Sequence, residues 1–406
     1  MSTRDIDQYA HRVREALLMQ LYTFSTAGSI VFGCESIHSL AKFMPMIGKV
    51  RSVLVVAQPS MLRNGIVEEM TNQLKKKGIS FSIVTGVMNE PTTDNIEALY
   101  RRVIGCDADA LIGIGGGSVL DATKLLSVLW TNDISLKQML GVDLIPGPGL
   151  PTILIPTTAG TGSEVTPNAI VTLPAEELKI GIVSRHLYPR LAIIDPTLTL
   201  TLPKSTTAAT GMDAFTHALE SFISKKANPL SDLFALESIR LISRSIVTAY
   251  QDGSSLRARE DMLIGSLYGG LALANSGTAA VHALAYPLGG KFDFPHGAAN
   301  AILLPHVLAF NLDAIGEKMV QIADAMGLHN NSSYHMNNAA QSVIEQVMTW
   351  IQELNMPQDL TKFGVTRQDV DSLAEAAMKV TRLLNNNPKT VTLEDARQIY
   401  SMLIPA

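Results

Sequence analysis

Residues 110–124 read Ala110-Leu111-Ile112-Gly113-Ile114-Gly115-Gly116-Gly117-Ser118-Val119-Leu120-Asp121-Ala122-Thr123-Lys124. The first five residues predict a buried strand, and a helix is expected to begin directly after the glycines. Glycines at such a turn let the backbone approach a pyrophosphate, while the helix N-terminus supplies amide donors and the positive end of its dipole. The turn lacks the Gly-x-Gly-x-x-Gly spacing of the dinucleotide fingerprint, so tight packing is a second interpretation beside phosphate binding.

A second turn of the same kind follows the next predicted strand. It offers four hydroxyl groups and two glycines, and it reads Pro156-Thr157-Thr158-Ala159-Gly160-Thr161-Gly162-Ser163-Glu164. Ligands of open α/β sheets bind at the carboxyl ends of the strands. Two such turns side by side therefore favour a nicotinamide dinucleotide lying across this edge of the sheet.

Short β-branched runs alternate with longer amphipathic segments from about residue 31 to residue 195. This alternation predicts a parallel sheet covered on both faces by helices. The predicted strands are 52–57, 79–84, 110–114, 152–155 and 192–194, and the helices expected between them include 61–77 and 93–104.

The pattern becomes helical after residue 204, with no convincing strand and clear helices expected over 230–249, 257–273, 319–326 and 338–354. Pro196 and Pro203 bracket a linker between the two halves. A chain of 406 residues exceeds the length of about 250–300 residues at which single cores stop growing, so two domains are expected. We predict an α/β dinucleotide-binding domain over 1–198 and an all-helical metal-binding catalytic domain over 199–406. Residues 1–21 predict an additional N-terminal helix for subunit contact.

One aspartate and three histidines of the helical half form a candidate metal site. Asp213 and His217 are four residues apart, so they share one face of a helix. Two prolines and two glycines separate His282 from His296, so we expect no unbroken helix there and a different element for His296. One carboxylate and three imidazoles suit iron(II) or zinc and leave room for a substrate oxygen. The alternative, histidines that only pack in the core, stays open on spacing alone.

Composition and charge exclude several other classes of function. The net charge is −5 and no basic stripe is present, so nucleic acid is not an expected partner. No uninterrupted apolar run reaches the ~18–20 residues of a membrane span, and residues 1–15 lack the apolar core of a signal peptide. The two cysteines, Cys34 and Cys106, cannot form a disulfide framework. We therefore predict a cytoplasmic protein with no membrane partner.

The chain resembles the iron-dependent (group III) alcohol dehydrogenases over essentially its whole length. The residues that carry the resemblance are Gly115-Gly116-Gly117-Ser118, Asp121, Lys124, Thr157-Thr158, Gly160-Thr161-Gly162-Ser163-Glu164, Ile194-Asp195-Pro196, Gly211-Met212-Asp213-Ala214, Thr216-His217, Glu220, His282, His296-Gly297 and Asn387-Pro388. Several of these are specific to the family at this spacing. The resemblance implies an α/β domain with a parallel sheet followed by an all-α domain, an architecture like that of dehydroquinate synthase.

The resemblance also implies a set of site residues. The family's metal ligands map onto Asp213, His217, His282 and His296, with iron(II) or zinc as the metal. The family's cofactor-binding positions map onto Gly115, Gly116, Gly117 and Ser118 at the pyrophosphate, onto Thr157, Thr158 and Thr161 at the nicotinamide, and onto Asp121, Ser163 and Lys179.

Two positions depart from the family pattern. Many members carry a histidine four residues after the third ligand and are thought to use it in proton relay, whereas this chain has Tyr286 there. Its hydroxyl is a candidate substitute in catalysis, and a packing tyrosine is the alternative. NAD-preferring members often carry an aspartate after the strand that here runs over 52–57, where Gln58 stands. Without that carboxylate, both NAD(H) and NADP(H) are candidate cofactors.

The implied reaction is hydride transfer between NAD(P)(H) and a small alcohol or aldehyde. The metal is expected to act as a Lewis acid in the cleft between the domains. The expected assembly is a homodimer or larger homo-oligomer. A lyase or synthase like dehydroquinate synthase is one alternative. That reaction needs several Lys and Arg groups, and Lys291 is the only one between His282 and His296. A non-catalytic metal-binding scaffold is the other alternative, and it would not need the two dinucleotide turns.

Overall fold

The computed structural model describes residues 21–176, 178–328 and 336–405. The helix predicted over residues 1–21 lies, apart from its last residue, outside the described residues.

The N-terminal half contains two sheets. The strands are β1 Ile30–Phe32, β2 Ser52–Ala57, β3 Ser80–Val84, β4 Ala110–Gly115, β5 Gly141–Val142, β6 Thr152–Pro156, β7 Asn168–Leu173, β8 Leu178–Val183 and β9 Leu191–Ile194. The larger sheet has six strands in the order β1-β9-β6-β4-β2-β3, and each of its pairings is parallel. Every residue of β2 and β4 is buried, because helices cover both faces of the sheet. The predicted parallel α/β architecture is therefore confirmed.

The smaller sheet was not predicted from the sequence. Its order is β5-β8-β7, and β7 and β8 form an antiparallel hairpin. In both hairpin strands, buried residues are mixed with half-buried ones, so their sequences lack the continuous apolar runs that mark the larger sheet. The hairpin matters because it carries Lys179 on β8.

The helices of the N-terminal half are α1 Leu40–Phe43, α2 Pro59–Arg63, α3 Ile66–Lys76, α4 Thr93–Val103 and α5 Gly117–Thr131. The single helix predicted over 61–77 is wrong: α2 and α3 are separate. Gly65 precedes α3 with φ of 76°, a left-handed conformation that interrupts the helix and that glycine adopts without strain.

The described residues of the C-terminal half form helices and connecting loops, with no strand. Its helices are α6 Lys204–Ile223, α7 Pro229–Gln251, α8 Leu256–Ser276, α9 Ala280–Phe292, α10 His296–Ala325, α11 Met336–Glu353, α12 Val370–Met378, α13 Thr381–Leu384 and α14 Leu393–Met402. The segment 319–326, predicted as a short helix, forms most of the last two turns of the 30-residue α10.

Helix α10 is long and apolar enough to cross a membrane by length and composition. However, 67% of its most apolar window is buried inside the protein, and it begins at the candidate ligand His296. These features are those of a core helix.

The expected break between His282 and His296 is present, and it lies after the end of helix α9. The helix continues through Pro287 and the two glycines after it, and ends at Phe292, where Asp293 has φ of 51°. Helix α9 packs tightly against Lys179 at Gly289, where an added Cβ would lie 2.7 Å from Lys179 Nζ. His296 nevertheless lies on a separate helix, as predicted.

The two halves meet at the second glycine-rich turn. A Cβ on Gly162 would lie 2.5 Å from the Cα of Gly270 in α8, and a Cβ on Gly160 would lie 2.7 Å from the Thr210 side chain in α6. Only glycine permits this close approach. The turn that follows β6 is thereby held against the helices that carry the candidate ligands.

Candidate active site

The four predicted metal ligands lie close together, with the three histidines grouped around one carboxylate oxygen of Asp213. Asp213 and His217 come from α6, His282 from α9 and His296 from the first residue of α10. The Nε2 atoms of His217, His282 and His296 lie 3.8, 3.7 and 3.6 Å from Asp213 Oδ1. Potential ligand atoms of Asp213, His217 and His282 all lie within 4.8 Å of one another. An ion bound by these residues would be enclosed, with His296 on its more exposed side.

Hydrogen bonds at Nδ1 orient two of the imidazoles. His217 Nδ1 is 3.2 Å from the carbonyl oxygen of Gly160, and His282 Nδ1 is 2.6 Å from Glu220 Oε2. A carbonyl or carboxylate oxygen can only accept, so each Nδ1 donates, and Nε2 is the nitrogen left to bind a metal. Imidazole nitrogens grouped around one carboxylate oxygen are a donor set that divalent ions bind, so the residues fit a metal.

Glu220 is a site residue whose role the sequence did not reveal. Its carboxylate accepts from the backbone amides of Ala279 and Val281, at 3.0 and 2.6 Å, as well as from His282. The side chain is completely buried. Residues 213, 217 and 220 share one face of α6, so the helical spacing could have indicated this placement.

Burial and neighbouring charges act in opposite directions on the cluster. Burial alone would raise the pKa of Asp213, but His217, His296 and His282 hold that pKa well below its usual range. Burial lowers the pKa of His217. Burial would also lower the pKa of His282, but the carboxylates of Asp213 and Glu220 outweigh it and raise that pKa to about 9. The site therefore stabilises positive charge beside Asp213, which a bound cation can supply.

The two predicted dinucleotide turns lie side by side at the carboxyl ends of β4 and β6. Gly115 pairs with Pro156 across the strands, and the Thr157 amide donates to the Gly115 carbonyl at 2.9 Å. A Cβ on Gly117, the first residue of α5, would lie 2.5 Å from the Thr161 side chain. Gly117 is therefore required by the contact between the turns, and the helix N-terminus behind it stays close to the sheet edge.

Gln58 lies at this same edge, directly after β2. Its Oε1 accepts from the Gly116 amide at 3.3 Å. The residue thus stands beside the candidate pyrophosphate turn, at the position predicted from the sequence. Ser118 also contacts a neighbouring loop, because its hydroxyl donates to the Asn89 carbonyl.

Asp121 joins the two turns. Its Oδ1 accepts from the Ser163 hydroxyl and from Lys124 Nζ, the latter at 3.2 Å, and its Oδ2 accepts from the Ile170 amide at 3.0 Å. Both carboxylate oxygens are therefore occupied by protein donors. Asp121 and Ser163, predicted among the cofactor contacts, are engaged in holding the turns together.

Lys179 and Tyr286 lie near the exposed side of the metal cluster. Lys179 is buried, packs against Gly289 of α9 and forms an ion pair with Glu90 at 2.8 Å. Tyr286 is one helical turn after His282, and its ring centroid is 6.0 Å from that of His296. Burial raises the pKa of the Tyr286 hydroxyl, so this group stays protonated at neutral pH.

Comparison with known proteins identifies the family. A model of iron-containing alcohol dehydrogenase matches residues 27–196, and a model of the C-terminal part of the Fe-containing alcohol dehydrogenase family matches residues 207–404. The chain belongs to the iron-containing alcohol dehydrogenase family. It is an oxidoreductase of the alcohol dehydrogenase class, as the sequence predicted.

Relatives of this alcohol dehydrogenase differ in their named substrates. Long-chain-alcohol dehydrogenase 1 of Geobacillus thermodenitrificans (strain NG80-2) is 40% identical, over 86% of this chain and 89% of its own. A solved 1,3-propanediol oxidoreductase superposes with a TM-score of 0.90 at 34% identity, covering 95% of this chain and all of that chain. Sulfoacetaldehyde reductase of Bifidobacterium kashiwanohense, solved in complex with NAD⁺, gives a TM-score of 0.84 at 25% identity, covering 95% and 99%.

Membership of the family confirms the predicted two-part architecture and sets aside the lyase and scaffold alternatives. Membership also implies small-molecule alcohol or aldehyde substrates. The structure brings together the four predicted ligands, and the second predicted dinucleotide turn contacts one of them through Gly160.

Proposed function

We propose that Asp213, His217, His282 and His296 hold iron(II), with zinc as the alternative ion, and that hydride transfer takes place beside them. One observation carries this proposal: three imidazole Nε2 atoms lie within 3.8 Å of a single buried carboxylate oxygen. When bound, the ion supplies a Lewis acid that polarises the alcohol or aldehyde oxygen, and the nicotinamide accepts or donates the hydride.

The chain's own groups prepare this site. Gly160 and Glu220 fix the rings of His217 and His282, so both Nε2 atoms already lie beside Asp213. Asp213 supplies the negative charge, and the core around α6 and α9 excludes water from one side of the cluster. His296 is the most exposed of the four ligands and lies near Tyr286, so we propose that substrate and cofactor approach from this side.

We propose NAD(H) as the cofactor, as in the complex of the sulfoacetaldehyde reductase. Gly115, Gly116, Gly117 and Ser118, at the start of α5, would hold its pyrophosphate. Its nicotinamide end would face Thr157, Thr158, Thr161 and Lys179. Asp121 and Ser163 hold the two turns together through their hydrogen bond. Gln58 carries no charge to repel a 2′-phosphate, so the proposal includes measurable activity with NADP(H).

Tyr286 is proposed to place its hydroxyl at the substrate or in the proton path. Support comes from its place one turn after His282 on the continuous helix α9 and from its proximity to His296.

The remaining predictions concern the whole protein. We propose a cytoplasmic homodimer or larger homo-oligomer, with a domain division at residues 198 and 199. The two family models leave residues 197–206 unmatched, which supports a boundary in this region.

Steady-state turnover tests the proposed chemistry. Metal-free protein would be reconstituted anaerobically with iron(II) or zinc and assayed with NADH and NADPH against short-chain, long-chain, diol-derived and sulfonated aldehydes. The proposal requires aldehyde-dependent oxidation of the nicotinamide by the metal-loaded protein. Turnover that is equal in metal-free and metal-loaded protein would overturn it.

A further inference from the structure

Asn300 touches three of the four proposed ligands. It lies one helical turn after His296 in α10 and is completely buried. Its Nδ2 is 2.7 Å from Asp213 Oδ1, 3.1 Å from His282 Nε2 and 3.3 Å from His296 Nε2. These are the atoms that would face the ion, so one amide group is in contact with most of the donor set.

The neighbours of Asn300 fix the orientation of its amide. Nδ2 carries hydrogens and can donate to the Asp213 carboxylate, whereas rotation by 180° would bring Oδ1 against a carboxylate oxygen with no hydrogen between them. The nitrogen therefore faces Asp213. The opposite atom, Oδ1, is buried and has no hydrogen-bond partner among the described residues.

This arrangement costs stability. A buried acceptor without a partner has lost its hydrogen bonds to water and forms none within the protein. An apolar side chain of similar volume would avoid that cost but would leave the Asp213 carboxylate without this donor. A residue that is unfavourable for packing at its own position is typical of a functional site.

We propose that Asn300 is a positioning residue of the metal site, whose amide holds the Asp213 carboxylate toward the three imidazoles. This inference rests on the proposed metal site. Once an ion takes the Nε2 lone pairs of His282 and His296, Asp213 is the acceptor that remains for Nδ2. Hydrogen bonds to a ligating carboxylate fix its direction and thereby contribute to metal affinity.

Helix α10 offers a matched control. Asn311 is also completely buried, but its amide exchanges two hydrogen bonds with Asn387, at 3.0 and 2.8 Å. Substitution of Asn311 therefore removes satisfied hydrogen bonds away from the ligands. The two asparagines should separate metal affinity from stability.

The experiment compares Asn300→Leu, Asn300→Ala and Asn311→Leu with the wild-type protein. Cobalt(II) affinity is measured by competition with a chelating indicator, the visible spectrum of the cobalt-loaded protein reports the ligand geometry, and the Tm is measured without metal. Both Asn300 variants should bind cobalt about 10–100-fold more weakly with altered absorption bands. Asn300→Leu should lower the metal-free Tm, because the buried Asp213 carboxylate loses its donor. Asn311→Leu should also lower the Tm but keep the affinity and the spectrum.

Unchanged cobalt affinity and spectrum in folded Asn300→Leu or Asn300→Ala would overturn this inference while leaving the metal site intact. Equal losses of affinity in the Asn300 and Asn311 variants would also overturn it, because a general structural effect would then explain both. Failure of the wild-type protein to bind cobalt would instead contradict the proposed function.

Discussion

Glu220→Gln tests how the proposed metal site is held. The wild-type carboxylate accepts three hydrogen bonds: Ala279 N and His282 Nδ1 donate to Oε2, and Val281 N donates to Oε1. Glutamine keeps the shape of the side chain but has a single acceptor oxygen. If the amide oxygen takes the Oε2 position, the hydrogen bond from Val281 is lost. If the amide nitrogen takes it, the hydrogen bonds from Ala279 and His282 are lost.

The expected magnitudes follow from these two orientations. With the oxygen kept at the Oε2 position, the Val281 amide faces an NH₂ group, and a buried donor without a partner costs about 1–3 kcal/mol of stability. With the NH₂ group there, His282 Nδ1 must accept, which moves the ring proton to Nε2 and removes the metal-binding lone pair. Either way the imidazole loses its anionic partner, so metal affinity should fall about 10–100-fold.

The assay is cobalt(II) or zinc(II) titration of metal-free protein against a chelating indicator, with the free energy of unfolding measured in parallel. Asp261→Asn is the matched control, because it neutralises another buried carboxylate, one paired with Arg244 and Ser245. The control should lose stability and keep its metal affinity. Wild-type affinity in Glu220→Gln would refute the idea that this carboxylate orients His282 for a metal.

Three further predictions address the cofactor, the proton and the pH dependence. Gln58→Asp should shift the ratio of kcat/KM for NADH over NADPH toward NADH, since the new carboxylate can bond the ribose 2′-hydroxyl and repel a 2′-phosphate; an unchanged ratio would show that residue 58 does not reach the ribose. Tyr286→Phe keeps the ring and removes the hydroxyl, so a role in proton transfer predicts a loss of about 10²-fold in kcat, whereas a normal kcat and pH profile would assign the residue to packing. Burial raises the pKa of Glu164 from 4.5 to about 7, so the folded protein binds more protons than the unfolded chain between these values, and stability should fall as pH rises through this window. Glu164→Gln should abolish that decline and, at pH 8, be more stable than wild type by up to about 3 kcal/mol in urea unfolding; an identical pH dependence of both proteins would contradict the assignment.

The sequence predicted the parts of the fold whose pattern is local. Strands β2, β4 and β6 are apolar on both faces because the parallel sheet is covered on both sides, so each appears as a continuous β-branched or aliphatic run. The hairpin of β7 and β8 is only partly buried and offered no such signal.

Two helix boundaries were decided by tertiary packing or by a single backbone angle rather than by local preference. Proline usually ends or kinks a helix, yet α9 passes through Pro287 because nearly all its side chains are buried among other helices. Just before Gly65 a helix ends although the amphipathic spacing continues, because Gly65 has a left-handed backbone conformation.

The ligands of the candidate site could be named from spacing and family resemblance, but the contacts of Glu220 and Asn300 could not. The partners of Glu220 are separated from it by 59 to 62 positions in the sequence. Asn300 is separated from Asp213 by 87 positions, although its contacts with His282 and His296 are closer in sequence. A buried polar residue in an apolar helix gives no indication of its partner until the helices are packed.

The most direct test of the central claim is metal content measured together with turnover in wild-type protein and in the ligand variant His217→Ala. Both proteins would be purified anaerobically, checked for fold by circular dichroism, supplied with iron(II) and assayed for aldehyde-dependent NADH oxidation. The proposed site predicts stoichiometric metal and turnover in the wild type, and near-complete loss of both in a folded His217→Ala protein. Full turnover by a metal-free His217→Ala variant would contradict the account.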